Sequence, residues 1–185
     1  HGGNAQLAAL LIERGADVNT SSEVGTPLHC AAESASVECM RLLLDASADA
    51  NAKCPEGNWT ALHLVVDCGN PREAARMLVK AGADVNVAND DGWTPLHSLL
   101  DDREKFTGED DTAMTLDVAR LLLANGADVN AAKNDGATPL FVLYDTTLYD
   151  VFPIDDDEIF DETHEFYDRK VLPIRILLRL LLRIF

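Results

Sequence analysis

Two short phrases recur at regular intervals along this chain, and their spacing constrains the fold more than any other feature. The first phrase occurs as Thr26-Pro27-Leu28-His29, Thr60-Ala61-Leu62-His63, Thr94-Pro95-Leu96-His97 and Thr138-Pro139-Leu140-Phe141. The second phrase, Gly-Ala-Asp-Val-Asn, ends at Asn19, Asn86 and Asn130, and a variant of it ends at Asn51. Such a fixed period predicts a stacked array, in which each unit buries its apolar face only against its neighbours.

Each unit carries the signals of two helices. The Thr of the first phrase is a good N-cap, and Pro suits the first helical position, where its missing N–H is not needed. Apolar runs such as Val118-Ala119-Arg120-Leu121-Leu122-Leu123 then predict a second helix that packs on one face. Gly15, Gly82 and Gly126 follow these runs, where a helix ends in a left-handed residue, and Ser47 takes that place in the second unit.

The first phrase, repeated every 34 residues from Thr26 to Thr60 and from Thr60 to Thr94, resembles the ankyrin repeat, whose period is about 33 residues. The resemblance covers roughly residues 1–145. It implies an all-α solenoid of stacked helix-turn-helix units joined by short hairpin loops. About four to five repeats are expected, the first of them truncated.

The phrases divide the chain into a half repeat at 1–20 and repeats at about 21–54, 55–88, 89–132 and 133–145 onward. The interval from Thr94 to Thr138 is 44 residues, and we expect its surplus, an acidic insertion at 101–113, to leave the stack as a mobile loop.

Beyond the array, residues 146–170 form an acidic insertion or linker by composition, and residues 171–185 predict an amphipathic helix with an arginine stripe. We interpret this helix as the outer helix of a final repeat. A docking helix for a partner and an in-plane membrane helix are the alternatives.

The charge balance points to the class of partner. Fifteen Lys and Arg against thirty-two Asp and Glu give a net charge of -17, which argues against nucleic acid or an anionic membrane as the main partner. A basic peptide or protein surface fits better. No signal peptide or membrane-spanning run is visible. We interpret the four cysteines as reduced packing thiols, which favours the cytoplasm or the nucleus, and we expect a monomer.

The sequence offers no catalytic residue, metal site or cofactor site. His29, His63 and His97 recur once per repeat, so they should form a column spaced too widely to share one metal ion. The resemblance implies instead that these histidines bond neighbouring hairpins. The four cysteines lack the spacing of a zinc site, and no phosphate-binding loop, nucleophile elbow or dinucleotide fingerprint occurs.

One surface is a candidate for partner binding. In ankyrin-like stacks the hairpin tips and inner helices form a concave face, and the residues expected to point into it here are Glu33, Trp59, Asp67, Trp93 and Asp101. Carboxylates beside indole rings can grip Lys or Arg side chains. Packing of the two tryptophans within the hairpins, and simple solvation of the acidic residues, are the alternatives.

The resemblance also implies a modification. Ankyrin repeats are substrates of an asparaginyl hydroxylase that favours a target Asn preceded by an acidic residue and Val, with a Leu eight residues before it. Asn19, Asn86 and Asn130 match this pattern, with Leu11, Leu78 and Leu122 before them. Asn51, which follows Ala50, matches less well.

Three functional hypotheses follow. The first is a non-enzymatic interaction module that binds a basic peptide or protein surface on its acidic concave face. The second is a regulatory or substrate-recruiting segment of a larger multidomain protein, such as a ubiquitin-ligase adaptor, which the start of the chain in mid-repeat favours. The third is peripheral membrane docking through residues 171–185.

Overall fold

Short and longer helices alternate along the chain. The structure, a computed structural model, describes residues 2–66, 71–101 and 109–144, all of which belong to one compact unit. Its helices are α1 (Gly2–Glu13), α2 (Pro27–Glu33), α3 (Val37–Asp45), α4 (Ala61–Val66), α5 (Pro71–Lys80), α6 (Pro95–Leu100), α7 (Glu109–Ala124) and α8, which is helical over residues 139–144. The predicted segments 146–170 and 171–185 lie outside the described residues.

The helices pack as two layers. The short helix α2 packs against α3 and α4, α4 packs against α5 and α6, and α6 packs against α7. In the outer layer α3 packs against α1 and α5, and α5 packs against α7. The described part of the chain contains only two isolated β-bridges and no strand. The predicted all-α solenoid of stacked helical pairs is therefore confirmed.

The core lies between the two layers and runs through successive repeats. Leu28 and Leu62, from the first phrase, are buried on the inner helices, and Met40, Leu78 and Leu122 are fully buried on the outer helices. All five side chains belong to one hydrophobic cluster that continues from unit to unit, so no unit has a core by itself.

Helices α2, α4 and α6 begin with a capping arrangement in which His replaces the usual Glu or Gln. The backbone N–H of Thr26 donates to Nδ1 of His29 over 3.1 Å, and the same bond joins Thr60 to His63 and Thr94 to His97, over 3.2 Å in each case. The sequence signal for the helix start is confirmed, with Pro27 and Pro95 at the first helical positions.

The same histidines join each repeat to the next. Nε2 of His29 lies 3.1 Å from the carbonyl oxygen of Trp59, Nε2 of His63 lies 2.9 Å from that of Trp93, and Nε2 of His97 lies 3.2 Å from that of Ala137. Because Nδ1 accepts a backbone N–H, Nε2 must carry the proton and donate to the carbonyl. A neutral ring is therefore required, and the implied structural role of these histidines is confirmed.

The asparagines of the second phrase form a parallel set of links. The Asn51 side chain donates to the carbonyl of Gly82 over 2.9 Å and accepts the N–H of Asp84 over 2.7 Å. Asn19 makes the same pair of bonds to the second unit, and Asn86 makes it to the fourth. These bonds hold successive hairpins in register.

The expected helix ends are also confirmed. Gly15, Gly82 and Gly126 each have φ of 88°, and Ser47 adopts φ of 68°, so the left-handed position is kept even where glycine is absent.

The insertion departs from the prediction at its second half. The sequence predicts a loop over 101–113, whereas the structure has helix from Glu109, so α7 is 16 residues long against nine for α3 and 10 for α5. The acidic sequence at 109–111 suits the first turn of a helix, where the helix dipole favours negative charge. Residues 102–108 lie outside the described part of the chain.

None of the described helices is both long and apolar enough to cross a bilayer.

Acidification is expected to destabilise the array below about pH 6.5. Burial is the main cause that lowers the pKa of His63 to about 4, and it also lowers the pKa of His97, whereas the unfolded rings keep an ordinary value near 6.5. Between these values the unfolded chain binds protons that the folded chain does not. The free energy of unfolding is therefore intact above the unfolded pKa and falls as the pH drops towards 4, by roughly 3 kcal/mol for His63 alone.

Urea titrations across this pH range measure the effect, with His63→Gln as the comparison. The carboxylates titrate in both proteins, so only the His63 contribution differs. Equal pH slopes in the two proteins would contradict the prediction.

Removing one asparagine link should weaken the stack measurably. Asn51→Ala deletes two bonds to the next hairpin, so we expect the free energy of unfolding to fall by about 1–2 kcal/mol. Asn130→Ala is the matched control, because the Asn130 side chain makes no such bond to the described residues, and its cost should be within about 0.5 kcal/mol. Equal losses in the two variants, measured by urea denaturation, would show that the links do not stabilise the stack.

Candidate functional site

One groove contains most of the predicted site. It has a volume of about 580 Å³ and is lined by hairpin tips and inner helices from successive repeats. Glu33, Trp59, Trp93 and Asp101 all line it, so the structure brings four of the five predicted site residues together. The fifth, Asp67, lies outside the described residues. That these residues bind a partner stays a prediction.

The groove is acidic. Glu33 and Asp101 stand at the ends of α2 and α6, and Glu23 and Glu56 add two carboxylates from the hairpin tips. No Lys or Arg occurs among the described residues that line it. Glu23 and Glu56 were not predicted, because they do not recur at a fixed position of the repeat. The only signal for them was their place beside the hairpin residues that precede each Thr.

The two tryptophans have two roles. Their backbone carbonyls take part in the links between repeats, and their side chains line the groove. Their carbonyls accept the inter-repeat bonds from the histidines, and each half-buried indole meets the ring of its own repeat's histidine edge to face. The ring centroids are 5.4 Å apart for Trp59 and His63, and 6.1 Å apart for Trp93 and His97. Both indoles also line the groove.

The ring of Trp93 is in contact with a lysine side chain of the same protein. The Lys133 ammonium lies 4.3 Å from the centroid of the Trp93 ring and 3.0 Å from Oδ2 of Asp135. The pKa of Asp135 lies below its ordinary value, mainly because the carboxylate accepts the N–H of Ala137 over 2.9 Å, and further because of Lys133. This contact was not predicted from the sequence, since it joins two adjacent hairpins through residues outside both phrases.

A buried hydroxyl group also belongs to the groove. Ser98, on α6, is 6% exposed and lines the groove, yet its Oγ has no hydrogen-bond partner among the described residues. A buried hydroxyl without a partner costs free energy, so an incoming polar group would gain by pairing with it.

The described residues hold no group of His, Cys, Asp and Glu that could bind a metal ion. His63 illustrates the reason, because hydrogen bonds occupy both of its ring nitrogens.

The predicted hydroxylation sites lie on exposed hairpins outside the groove. The side-chain amides of Asn19 and Asn86 are engaged in the links between repeats, whereas Asn130 has no such link to the described residues. Hydroxylation of these residues stays a prediction.

Comparisons with known proteins agree with the observed stack. The family model for ankyrin repeats in many copies matches residues 11–65 and 45–97, and the model for a single ankyrin repeat matches residues 91–134. Together these matches run from 11 to 134 without a gap, which is more than half of the chain.

Several relatives share part of the sequence. The chain is 42% identical over 98 residues to the transient receptor potential channel pyrexia of Drosophila melanogaster, a match that covers 51% of this chain and 10% of the relative. It is 36% identical over 100 residues to ankyrin repeat and SOCS box protein 11 of Danio rerio, covering 54% of this chain and 33% of the relative. It is 43% identical over 68 residues to protein phosphatase 1 regulatory subunit 27 of Mus musculus, covering 37% and 43% respectively.

The chain thus spans less than half the length of each of these relatives. The stacked helical pairs, the recurring His and Asn links and the family matches all lead to the same conclusion. The chain belongs to the ankyrin repeat family, whose repeats form protein–protein interaction modules.

Proposed function

We propose that this module is not an enzyme and that it binds a basic peptide, or a basic segment of a protein surface, in the acidic groove. One observation carries the proposal. Four carboxylates and two indoles converge on a single groove that has no Lys or Arg among its described lining residues.

The charge of the groove favours this ligand in two ways. A field of one sign steers an oppositely charged ligand and raises its association rate, and the net charge of -17 extends that field beyond the groove. Once the ligand is bound, indole faces and carboxylates attract the same cationic groups. Because the carboxylates are partly exposed, salt should weaken the interaction.

The shape of the groove favours an extended ligand. Its lining comes from three successive hairpins, around Val24, Trp59 and Trp93, and from the inner helices that follow them. A peptide chain can run across several repeats and meet each carboxylate in turn, whereas a compact small molecule would meet few of them. The ligand class that fits best is therefore an extended basic segment.

A second candidate function rests on the relatives. One of them is named an ankyrin repeat and SOCS box protein and another a phosphatase regulatory subunit, and the chain spans a third and 43% of these two proteins. We propose as the alternative that this chain is the regulatory or substrate-recruiting part of a larger protein, such as a ubiquitin-ligase adaptor. If affinity purification of the complete protein recovers no ubiquitin-ligase subunit with it, the result would count against that example.

Reversing two charges of the groove should abolish most of the binding. For Glu33→Lys with Asp101→Lys we expect the affinity for a fluorescent peptide of three Gly-Ser-Lys units to fall about tenfold or more, because two attractive contacts become repulsive. Fluorescence anisotropy at an ionic strength of about 0.1 M measures the change, and raising the salt should weaken the unmodified protein in the same direction.

The matched control is Asp45→Lys with Glu73→Lys. It changes the net charge by the same amount on exposed positions of the outer helices, away from the groove. We expect it to change the affinity much less than the groove variant. Equal losses would mean that overall charge, and not the groove, binds the peptide, and no binding by the unmodified protein would refute the proposed function.

Hydroxylation can be tested apart from binding. Incubation with an asparaginyl hydroxylase should add one oxygen mass to peptides that contain Asn19, Asn86 or Asn130, as read by mass spectrometry. We expect Asn130 to react first, since its side chain is not tied to a following hairpin by the described residues. An unchanged intact mass would remove this proposal.

A further inference from the structure

The array shows in its own hairpins how one of its tryptophans holds a lysine. Over the ring of Trp93, the Lys133 side chain is only 13% exposed, and its ammonium lies 4.3 Å from the ring centroid with the Asp135 carboxylate 3.0 Å away. Such a contact combines the attraction of the ring face with that of a carboxylate. It is an example, within the protein itself, of an indole and a carboxylate that bind the same lysine, and the groove contains both kinds of group.

The hairpin that follows Trp59 lacks this lysine. Lys133 donates its backbone N–H to Ala137, and Asn89 donates its own to Trp93, so the two residues occupy the same position of successive hairpins. Asp91 likewise corresponds to Asp135. Asn89 is too short to place a charge over a ring, and it has none to place.

Trp59 is consequently an indole without a cation among the described residues. The neighbouring lysine in the sequence, Lys53, donates to the carbonyl of Ala88 over 3.3 Å. Glu56 lines the groove with Trp59, and Asp91 is exposed with no ion pair to the described residues. The unpartnered hydroxyl of Ser98 belongs to the same groove.

We propose that the ligand's anchor is a single lysine whose ammonium lies on the Trp59 ring, in the way that Lys133 lies on Trp93. This inference rests on the proposed function and names the one contact that fixes the ligand's register. Asp91, which corresponds to Asp135, supplies a carboxylate for the ammonium, and Glu56 adds a second one from the lining of the groove. The Ser98 hydroxyl gives a further polar group of the ligand a partner inside the groove.

The two tryptophans of the chain allow a direct test. Protein labelled with 5-fluorotryptophan gives one fluorine resonance for each indole, and Trp59→Phe and Trp93→Phe assign them. On titration with the peptide of three Gly-Ser-Lys units, we expect the Trp59 resonance to shift with the binding curve and the Trp93 resonance to shift less, because Lys133 already covers a face of that ring. Replacing each lysine of the peptide by norleucine should remove the shift.

We call the proposed position of the ligand's lysine on the Trp59 ring the lysine seat. A variant can occupy this seat with a side chain of the protein itself. Asn89→Lys recreates the Lys133 arrangement one hairpin earlier, so we expect it to weaken peptide binding about two- to fivefold. Asn89 accepts the N–H groups of Asp91 and Trp93. The fold should tolerate the loss, because Asp91 can accept the N–H of Trp93 as Asp135 accepts that of Ala137.

Two further variants separate the seat from charge alone. Asn125→Lys adds the same positive charge at an exposed site outside the groove and should leave binding nearly unchanged. Lys133→Asn uncovers the second ring and should keep or raise the affinity. If Asn89→Lys and Asn125→Lys weaken binding equally, the seat is refuted.

The outcomes distinguish this inference from the proposed function. Peptide binding by anisotropy with the larger shift at Trp93 overturns the lysine seat and leaves the groove as the binding site. Binding with no shift at either ring overturns the seat, and the Glu33→Lys with Asp101→Lys variant then decides whether the groove binds the peptide. Absence of binding by anisotropy overturns both. The wild-type fluorine shifts decide the matter even if Asn89→Lys does not fold.

Discussion

The structure depends on a neutral histidine that serves two repeats at once. In His29, His63 and His97, Nδ1 caps the helix of its own repeat and Nε2–H donates to a carbonyl of the next, so a single ring fixes both the start of a helix and the register of the stack. Because one nitrogen must accept and the other must donate, a charged ring cannot replace it. Burial keeps the pKa of His63 low and so maintains the form that the stack requires.

This link also explains why the array tolerates its insertion. The residues joined by the histidine bonds are 30 apart for His29 and His63 and 40 apart for His97, yet the three Nε2 to oxygen distances are 3.1, 2.9 and 3.2 Å. The asparagine links behave in the same way, because Asn51 and Asn86 donate to carbonyls 31 and 40 residues away over 2.9 and 2.8 Å, and the longer interval contains the insertion. The extra residues therefore change the chain between the bonds and not the stack, as expected for a solenoid.

The fold was predictable from the sequence because the residues that recur at a fixed interval are also the residues that make the hydrogen bonds of the stack. Thr and His recur together, as in Thr26 and His29, since one capping arrangement needs both residues. Ser47 could be recognised as a helix end from its position in the repeat alone. The helix start at Glu109 was not predicted, because the insertion has no counterpart in the other repeats with which its residues could be aligned. The acidic groove was predicted in part, but Glu23 and Glu56 were not. Their hairpins close over different lengths, from Ser22 to Gly25 and from Cys54 to Trp59, so the period does not fix where their side chains point.

At the position before each Thr, the stack requires the backbone carbonyl but not a particular side chain. Trp59, Trp93 and Ala137 all accept the inter-repeat bond through the backbone carbonyl, and Ala137 does so over 3.2 Å with only a methyl group as its side chain. An indole is therefore not required for the link between repeats. Two of these positions nevertheless carry the largest side chain available, and both indoles line the same groove beside carboxylates. Since the link between repeats does not require an indole at these positions, the presence of two indoles in one acidic groove agrees with the proposed ligand contact.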